Sequence, residues 1–182
     1  MVFFRRSFLV SVIVFLASSC AHYDYNKPTK PTHGEDKMPP ATELTVGVSV
    51  MEVGGGEFAF KYSGEYFEEN GDFDFSEGPV SKGPVEITFV IDEAPDGVVF
   101  RSPGADAIWI DFLQNVGPEG SPKGPYRGDQ FRDFRTIEGG KALRVFDVNN
   151  DGEFYRYGLR FDRRGELIMH DPTGHNGGGW DN

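Results

Sequence analysis

The chain has 182 residues, of which 29 are Asp or Glu and 18 are Lys or Arg, so its formal net charge is −11. So acidic a protein is repelled by phosphate backbones, which excludes nucleic acid as an expected partner. A single cysteine excludes a disulfide within the chain, so the folded part depends on an apolar core.

The N-terminal residues have the pattern of an export signal. Arg5 and Arg6 give a positively charged start, and an apolar run follows over residues 8–17, interrupted only by Ser11. A membrane-spanning helix needs about 20 apolar residues, so this run has the length of a signal-peptide core instead. Small residues then lead to Cys20. We therefore expect residues 1–19 to be a signal peptide.

Residues 17–20, Ala-Ser-Ser-Cys, resemble the lipobox of bacterial lipoproteins, a short aliphatic-small-small-Cys tetrapeptide. This resemblance implies diacylglyceryl transfer to the Cys20 sulfur, cleavage before Cys20 and acylation of its new amino group. Cys20 is then the lipidation site, and two or more acyl chains suffice for lasting membrane attachment. Ala21, rather than an aspartate, follows the cysteine, which by resemblance to enteric lipoproteins implies the outer membrane. An ordinary secretory signal with an incidental cysteine is the alternative.

The residues after Cys20 predict a flexible tether over residues 20–41. Pro28, Pro31, Pro39 and Pro40 stand among polar and charged residues there, and such a composition cannot bury enough apolar surface to order the chain. Loss of the signal removes two basic residues and no acidic one, so the exported form has 16 basic and 29 acidic residues, a net charge of −13.

From residue 42 onward, apolar residues recur at every second position, which is the period of a half-buried strand. Gly54, Gly55 and Gly56 predict a turn after the first strand, and no window has a sustained helical period with capping residues. The predicted strands cover residues 44–50, 58–62, 85–92, 97–101, 107–112 and 166–170.

Residues 142–161 predict a long antiparallel hairpin. Apolar side chains alternate on both sides of a polar centre, Asn149-Asn150-Asp151-Gly152, whose residues favour tight turns. One face of this hairpin is too apolar to stand alone, so the remaining strands must supply a facing layer.

Many short strands separated by turn residues are typical of an all-β sandwich or barrel. We predict an all-β domain over residues 42–171, an immunoglobulin-like antiparallel β-sandwich of about eight strands, with a small β-barrel as the alternative. Residues 172–182 are predicted to be a Gly-rich C-terminal tail. The Asp-Pro…Asn-Gly-Gly pattern of the ending faintly resembles small uncharacterised bacterial β-sandwich proteins, a likeness that implies no activity.

An acidic stretch at residues 65–77 is the first candidate for a functional segment. It holds six carboxylates and no basic residue, interleaved with Phe67, Phe73 and Phe75. We expect a hairpin with a charged outer face and inward phenylalanines. If the phenylalanines are exposed instead, the segment would suit a basic, partly apolar partner.

The second candidate is the irregular stretch at residues 117–134, which is rich in proline and glycine. Long irregular connections in compact domains are often functional. Arg127, Arg132 and Arg135 make the region locally basic, and we expect them to neutralise nearby carboxylates rather than to bind a ligand.

The C-terminal tail is the third candidate. His170, Asp171, His175 and Asp181 could ligate a transition metal, but metal ligands usually sit on an ordered frame and this tail is rich in glycine. We therefore predict no metal site and no cofactor.

Asp147, Asn149, Asp151 and Gly152 match the first half of an EF-hand calcium loop, D-x-N-x-D-G. The twelfth position of such a loop should be a glutamate, but here it is Gly158, and strand-like patterns replace the flanking helices. Asn-Asp-Gly is also what a plain hairpin turn prefers. The sequence favours the turn and leaves calcium binding by Asp147, Asn149 and Asp151 open.

No sequence motif of an enzyme is present: no Gly-x-Ser-x-Gly elbow, phosphate-binding glycine loop or His-Glu-x-x-His pair. We therefore predict a non-enzymatic, lipid-anchored envelope protein that faces the periplasm or the cell surface and binds an envelope protein or glycan. The alternative is a small envelope hydrolase that uses paired carboxylates.

Overall fold

Residues 38–178 are described by the computed structural model, and most of their regular structure is β-strand. The signal segment, Cys20 and most of the predicted tether lie outside them. The strands are β1 (Thr42–Gly54), β2 (Glu57–Ser63), β3 (Phe73–Asp74), β4 (Val85–Glu93), β5 (Val98–Phe100), β6 (Ile108–Phe112), β7 (Phe131–Ile137), β8 (Ala142–Asp147), β9 (Phe154–Arg163), β10 (Glu166–His170) and β11 (Thr173–His175). Two four-residue helices, α1 (Gly104–Ala107) and α2 (Leu113–Val116), flank β6.

The strands form two sheets that do not close into a barrel. The first sheet has the order β2-β1-β4-β8-β7. The second has the order β10-β9-β11-β3, with β5 and β6 also pairing with β9. The predicted all-β sandwich is therefore confirmed.

The core lies between the sheets because each central strand presents one apolar face. Ile87 and Phe89 of β4 are buried, as are Tyr157 and Leu159 of β9, while the residues between them on β4 are half-exposed. Phe89 and Tyr157 meet across the interface with ring centroids 6.0 Å apart. The alternation seen in the sequence thus marks the faces that pack, as expected for half-buried strands.

The strand pairing is not purely antiparallel. β1 and β4 pair in parallel, from Thr42 opposite Val85 to Val48 opposite Ile91, and β3 pairs in parallel with β11. Parallel neighbours need a long crossover connection, and here β2, β3 and the acidic segment lie between β1 and β4 in the chain. Within residues 38–178, eleven strands form in place of about eight, mainly because the short strands β3 and β11 and the strand β7 have no clear alternating pattern.

The predicted hairpin over residues 142–161 is wrong. β8 pairs with β4 and β7 in the first sheet, whereas β9 pairs with β5, β6, β10 and β11 in the second. Residues 148–153, called the crossover segment below, therefore pass from one sheet to the other. Two arms with apolar rows fit a hairpin or two facing sheets equally well, because alternation shows which face is buried but not which strand lies alongside.

The predicted tail also needs correction, because the domain extends past residue 171. Residues 173–175 form β11 between β9 and β3, and Asn176 and Gly177 are buried. A Cβ atom at residue 174 would lie 2.1 Å from Phe73 Cζ, so only glycine lets β11 approach β3 this closely. Gly174 and Gly177, two of the glycines that predicted a loose tail, thus allow close packing. No helix within residues 38–178 is long and apolar enough to cross a membrane.

Candidate functional site

The acidic segment at residues 65–77 is anchored by its phenylalanines. Phe73 and Phe75 are buried, and Phe67 packs on both with ring centroids 5.3 and 6.0 Å away. Phe67 also contacts Phe89 of the core edge-on at 5.8 Å. The phenylalanines therefore point inward, as predicted, although the segment forms only the short strand β3 and a single bridge between Phe67 and Phe73 rather than a regular hairpin.

A cleft of about 280 Å³ opens on this segment and is called the acidic–aromatic cleft. Its aromatic lining residues are Tyr66, Phe67 and Phe73, and its acidic lining residues are Glu68, Asp72 and Asp74. Its size is close to the lower end of small-molecule sites. Aromatic faces beside carboxylates can bind a group that is positively charged and partly apolar, through charge and cation–π attraction.

Asp74 is held as a carboxylate at the edge of the cleft. Partial burial opposes its ionisation, but hydrogen bonds from Ser76 and the nearby His175 imidazole lower the pKa of the Asp74 carboxyl. His175 Nδ1 lies 3.2 Å from Asp74 Oδ1, and its ring stacks on Phe154 with centroids 3.9 Å apart. This side of the cleft is therefore fixed by strand β11.

A second group of polar residues lies in and around the crossover segment and is called the crossover cluster: Gln130, Asp147, Asn149, Asp151, Tyr155 and Asn176. Asp147 and Asn149 are completely buried. Asp147 Oδ1 accepts hydrogen bonds from Asn149 N at 2.8 Å and from Gln130 Nε2 and Asn176 Nδ2 at 3.2 Å each. The first half of the D-x-N-x-D-G motif, Asp147 to Asn149, is thus buried, whereas Asn150 and Asp151 are exposed.

The side chain of Asn149 ties three segments together. Its Nδ2 donates to Val80 O at 2.8 Å and to Gly83 O at 3.0 Å, and its Oδ1 accepts from Gly177 N. The backbone at Asn149 has φ 54°, a left-handed conformation that asparagine tolerates better than most residues. Asn149 is therefore a structural anchor rather than a free ligand.

The crossover cluster holds two carboxyl groups, on Asp147 and Asp151, and no basic side chain. Burial raises the pKa of the Asp147 carboxyl well above its ordinary value, the hydrogen bond from Asn149 N opposes this, and repulsion from Asp151 adds to the rise. The Tyr155 hydroxyl donates a hydrogen bond to Asp151 Oδ2. Asp151 itself is exposed, so the cluster reaches solvent at this one carboxylate.

The three arginines predicted to neutralise carboxylates have different surroundings. Arg135 pairs with Asp133 at 3.8 Å, and both side chains are exposed. Arg132 lies over the Phe146 ring at 4.7 Å, and Arg127 is exposed. Residues 117–130 form an irregular connection, as predicted, whereas residues 131–134 belong to β7.

The histidines considered as metal ligands have aromatic neighbours. His170 Nδ1 is 2.9 Å from the Tyr62 hydroxyl, and its ring stacks on Phe60 at 4.5 Å. Burial lowers the pKa of His170, so the neutral imidazole is favoured. Within residues 38–178, no three His, Cys, Asp or Glu side chains are grouped to hold a metal, and Asp181 lies outside them.

The scan against protein-family models and the search of curated proteins find no match to this chain. The chemistry of its own residues must therefore carry any functional proposal. Sequence reasoning pointed to the acidic segment and to the D-x-N-x-D-G motif, but it missed Gln130 and Asn176, because single polar residues far away in the chain give no local signal.

Proposed function

We propose that this chain is a lipid-anchored protein of the bacterial outer membrane, whose domain binds another envelope component at the acidic–aromatic cleft without catalysis. The observation that carries the proposal is the cleft itself, with Glu68, Asp72 and Asp74 around an aromatic wall. Such a surface suits a protein segment or glycan that carries a positively charged group. The lipobox-like residues 17–20 support the anchor.

A hydrolytic role has less support from the charges. A glycoside hydrolase needs two carboxyl groups in one cleft, one of them protonated through a raised pKa. Asp74, which lines the cleft, has a lowered pKa, and Asp147, whose pKa is raised, is fully buried outside the lining. Incubation of the protein with purified envelope glycans, followed by an assay for new reducing ends, tests this alternative.

The cleft is tested by reversing one charge. Glu68→Lys is expected to lower recovery of the bound component from crosslinked envelopes about tenfold, equivalent to ~1.4 kcal/mol of binding free energy. Glu68 is exposed at the cleft, so the change removes attraction without disturbing the core. The measurement is quantitative pull-down with the anchored chain as bait.

Glu77→Lys is the matched control, because Glu77 is exposed in the same acidic segment but does not line the cleft. It changes net charge by the same amount and is expected to leave recovery close to that of the unmodified chain. Equal losses in the two variants would show that overall charge, not the cleft, determines binding.

The anchor is tested by Cys20→Ser. We expect the variant to accumulate as an unlipidated precursor or soluble species, because Cys20 is the only cysteine available for thioether linkage. Metabolic labelling with a fatty acid, followed by membrane fractionation, measures this. Label retained by the serine variant would end the lipoprotein assignment while leaving the cleft proposal intact.

A further inference from the structure

The crossover cluster contains a buried carboxylate with one unsatisfied oxygen. Asp147 Oδ1 accepts three N–H groups, whereas the buried Asp147 Oδ2 has no hydrogen-bond partner. The ionised neighbour that acts on it is Asp151, another carboxylate. Burying a carboxylate is strongly unfavourable unless a positive charge or a proton compensates it.

Asn176 supplies a second unsatisfied oxygen in the same cluster. The residue is completely buried, and its Oδ1 has no partner. Its Nδ2 lies between the two acids, 3.2 Å from Asp147 Oδ1 and 3.4 Å from Asp151 Oδ1. The amide nitrogen of Asn176 therefore contacts both carboxylates, while its amide oxygen has no partner.

The chemistry of these atoms suits a hard divalent cation, because calcium takes carboxylate and amide oxygens as ligands. Asp147 Oδ2 and Asn176 Oδ1 are both buried and without a partner, and Asp151 adds a carboxylate that is exposed to solvent.

We propose that Asp147, Asp151 and Asn176 form a calcium site that joins the crossover segment to the C-terminal segment. Asp147 and Asp151 occupy the first and fifth positions of the sequence motif, and Asn176 replaces Asn149, whose amide is turned toward Val80 and Gly83. Calcium takes carboxylate, amide and water oxygens, and water has access at the exposed Asp151.

A thermal unfolding experiment on the full-length chain in detergent tests the site. Addition of about 1 mM CaCl₂ is expected to raise Tm by ~5 °C or more relative to a chelator, if half-saturation lies near 10 µM. Magnesium at the same concentration is expected to give a smaller shift, because it demands tighter, octahedral geometry.

Single substitutions show which residues cause the calcium-dependent rise in Tm. Asp147→Asn and Asp151→Asn are each expected to abolish most of the calcium shift. Asp162→Asn is the matched control: Asp162 Oδ1 accepts a hydrogen bond from Gly165 N in a turn away from the cluster, and this variant should keep the full shift. Equal calcium shifts in the control and in both cluster variants would overturn the proposal.

Terbium luminescence gives a second reading that does not depend on stability. Tyr155 donates a hydrogen bond to Asp151, so excitation of tyrosine should sensitise Tb³⁺ bound at the cluster, and calcium should displace it. Asp151→Asn serves here if Asp147→Asn does not fold, because Asp151 is exposed.

The competing occupant is a proton on Asp147. If a proton neutralises Asp147 instead of calcium, we expect no calcium-dependent shift in Tm and no sensitised terbium emission. We then also expect stability to fall as pH rises through the raised pKa of Asp147, because the folded state holds the proton more tightly than the unfolded state. That combination of results would refute the calcium site. The proposal is independent of the cleft and of the lipid anchor.

Discussion

Replacement of Phe89 by alanine is expected to lower the free energy of unfolding by about 3–5 kcal/mol, the usual cost of truncating a core phenylalanine. Phe89 lies on β4 at the centre of the first sheet, is 1% exposed, and contacts Phe67 and Tyr157. The truncation leaves a cavity at the point where both sheets and the acidic segment meet. Urea denaturation of a fragment spanning residues 36–182, which is a compact unit, measures the loss.

Thr88→Ala is the control on the same strand. Thr88 points to the other face of the first sheet, is half-buried and lies opposite Arg144 of β8. Its truncation removes little apolar contact, so we expect a loss below about 1 kcal/mol. Comparable losses at residues 88 and 89 would contradict the assignment of the buried face.

Much of the fold can be predicted from the local alternation of apolar and polar residues. The pairing of the strands cannot, because alternation does not determine which strands lie side by side. The pattern of β4, with Val85, Ile87 and Phe89 inward, was readable because one face meets a core and the other is half-exposed. The parallel register of β1 with β4 was not readable, since either direction buries the same face. β3 and β11 are two and three residues long, too short for any period to be seen.

The error at residues 142–161 has the same physical origin. A hairpin and a crossover between facing sheets bury the same residues of β8 and β9, so the apolar rows could not distinguish them. The difference lies in Asn149, which is buried and bonded to distant backbone groups rather than exposed in a turn. A sequence that favours a local turn thus forms hydrogen bonds to residues far away in the chain.

The candidate sites were predictable only in part, for a related reason. Asp147 and Asp151 were found because their spacing along the chain follows a known motif. Asn176, 25 residues beyond Asp151, joins them through the pairing of β11 with β9. Likewise, the aromatic walls of the acidic–aromatic cleft depend on how far each ring packs inward: Phe73 is buried, whereas Tyr66 and Phe67 are half-buried.

Asn149→Ala is expected to destabilise the domain by about 3–5 kcal/mol, because three buried backbone groups lose their partners and each such loss costs about 1–3 kcal/mol before relaxation. Those groups are Val80 O, Gly83 O and Gly177 N. Alanine also fits the left-handed conformation at φ 54° less well than asparagine. Urea denaturation of the fragment spanning residues 36–182 gives the value.

Two further variants separate the causes of this loss. Asn149→Gly keeps the positive φ without strain but removes the same hydrogen bonds, so it should recover only the backbone part, about 1 kcal/mol. Asn150→Ala changes the exposed neighbour and should cost less than about 0.5 kcal/mol. If Asn149→Gly were as stable as the unmodified domain, the hydrogen bonds to residues 80, 83 and 177 would not hold the crossover segment in place. The anchoring would then have to come from packing of Val148 and from the backbone hydrogen bonds of Val148, Gly152 and Glu153.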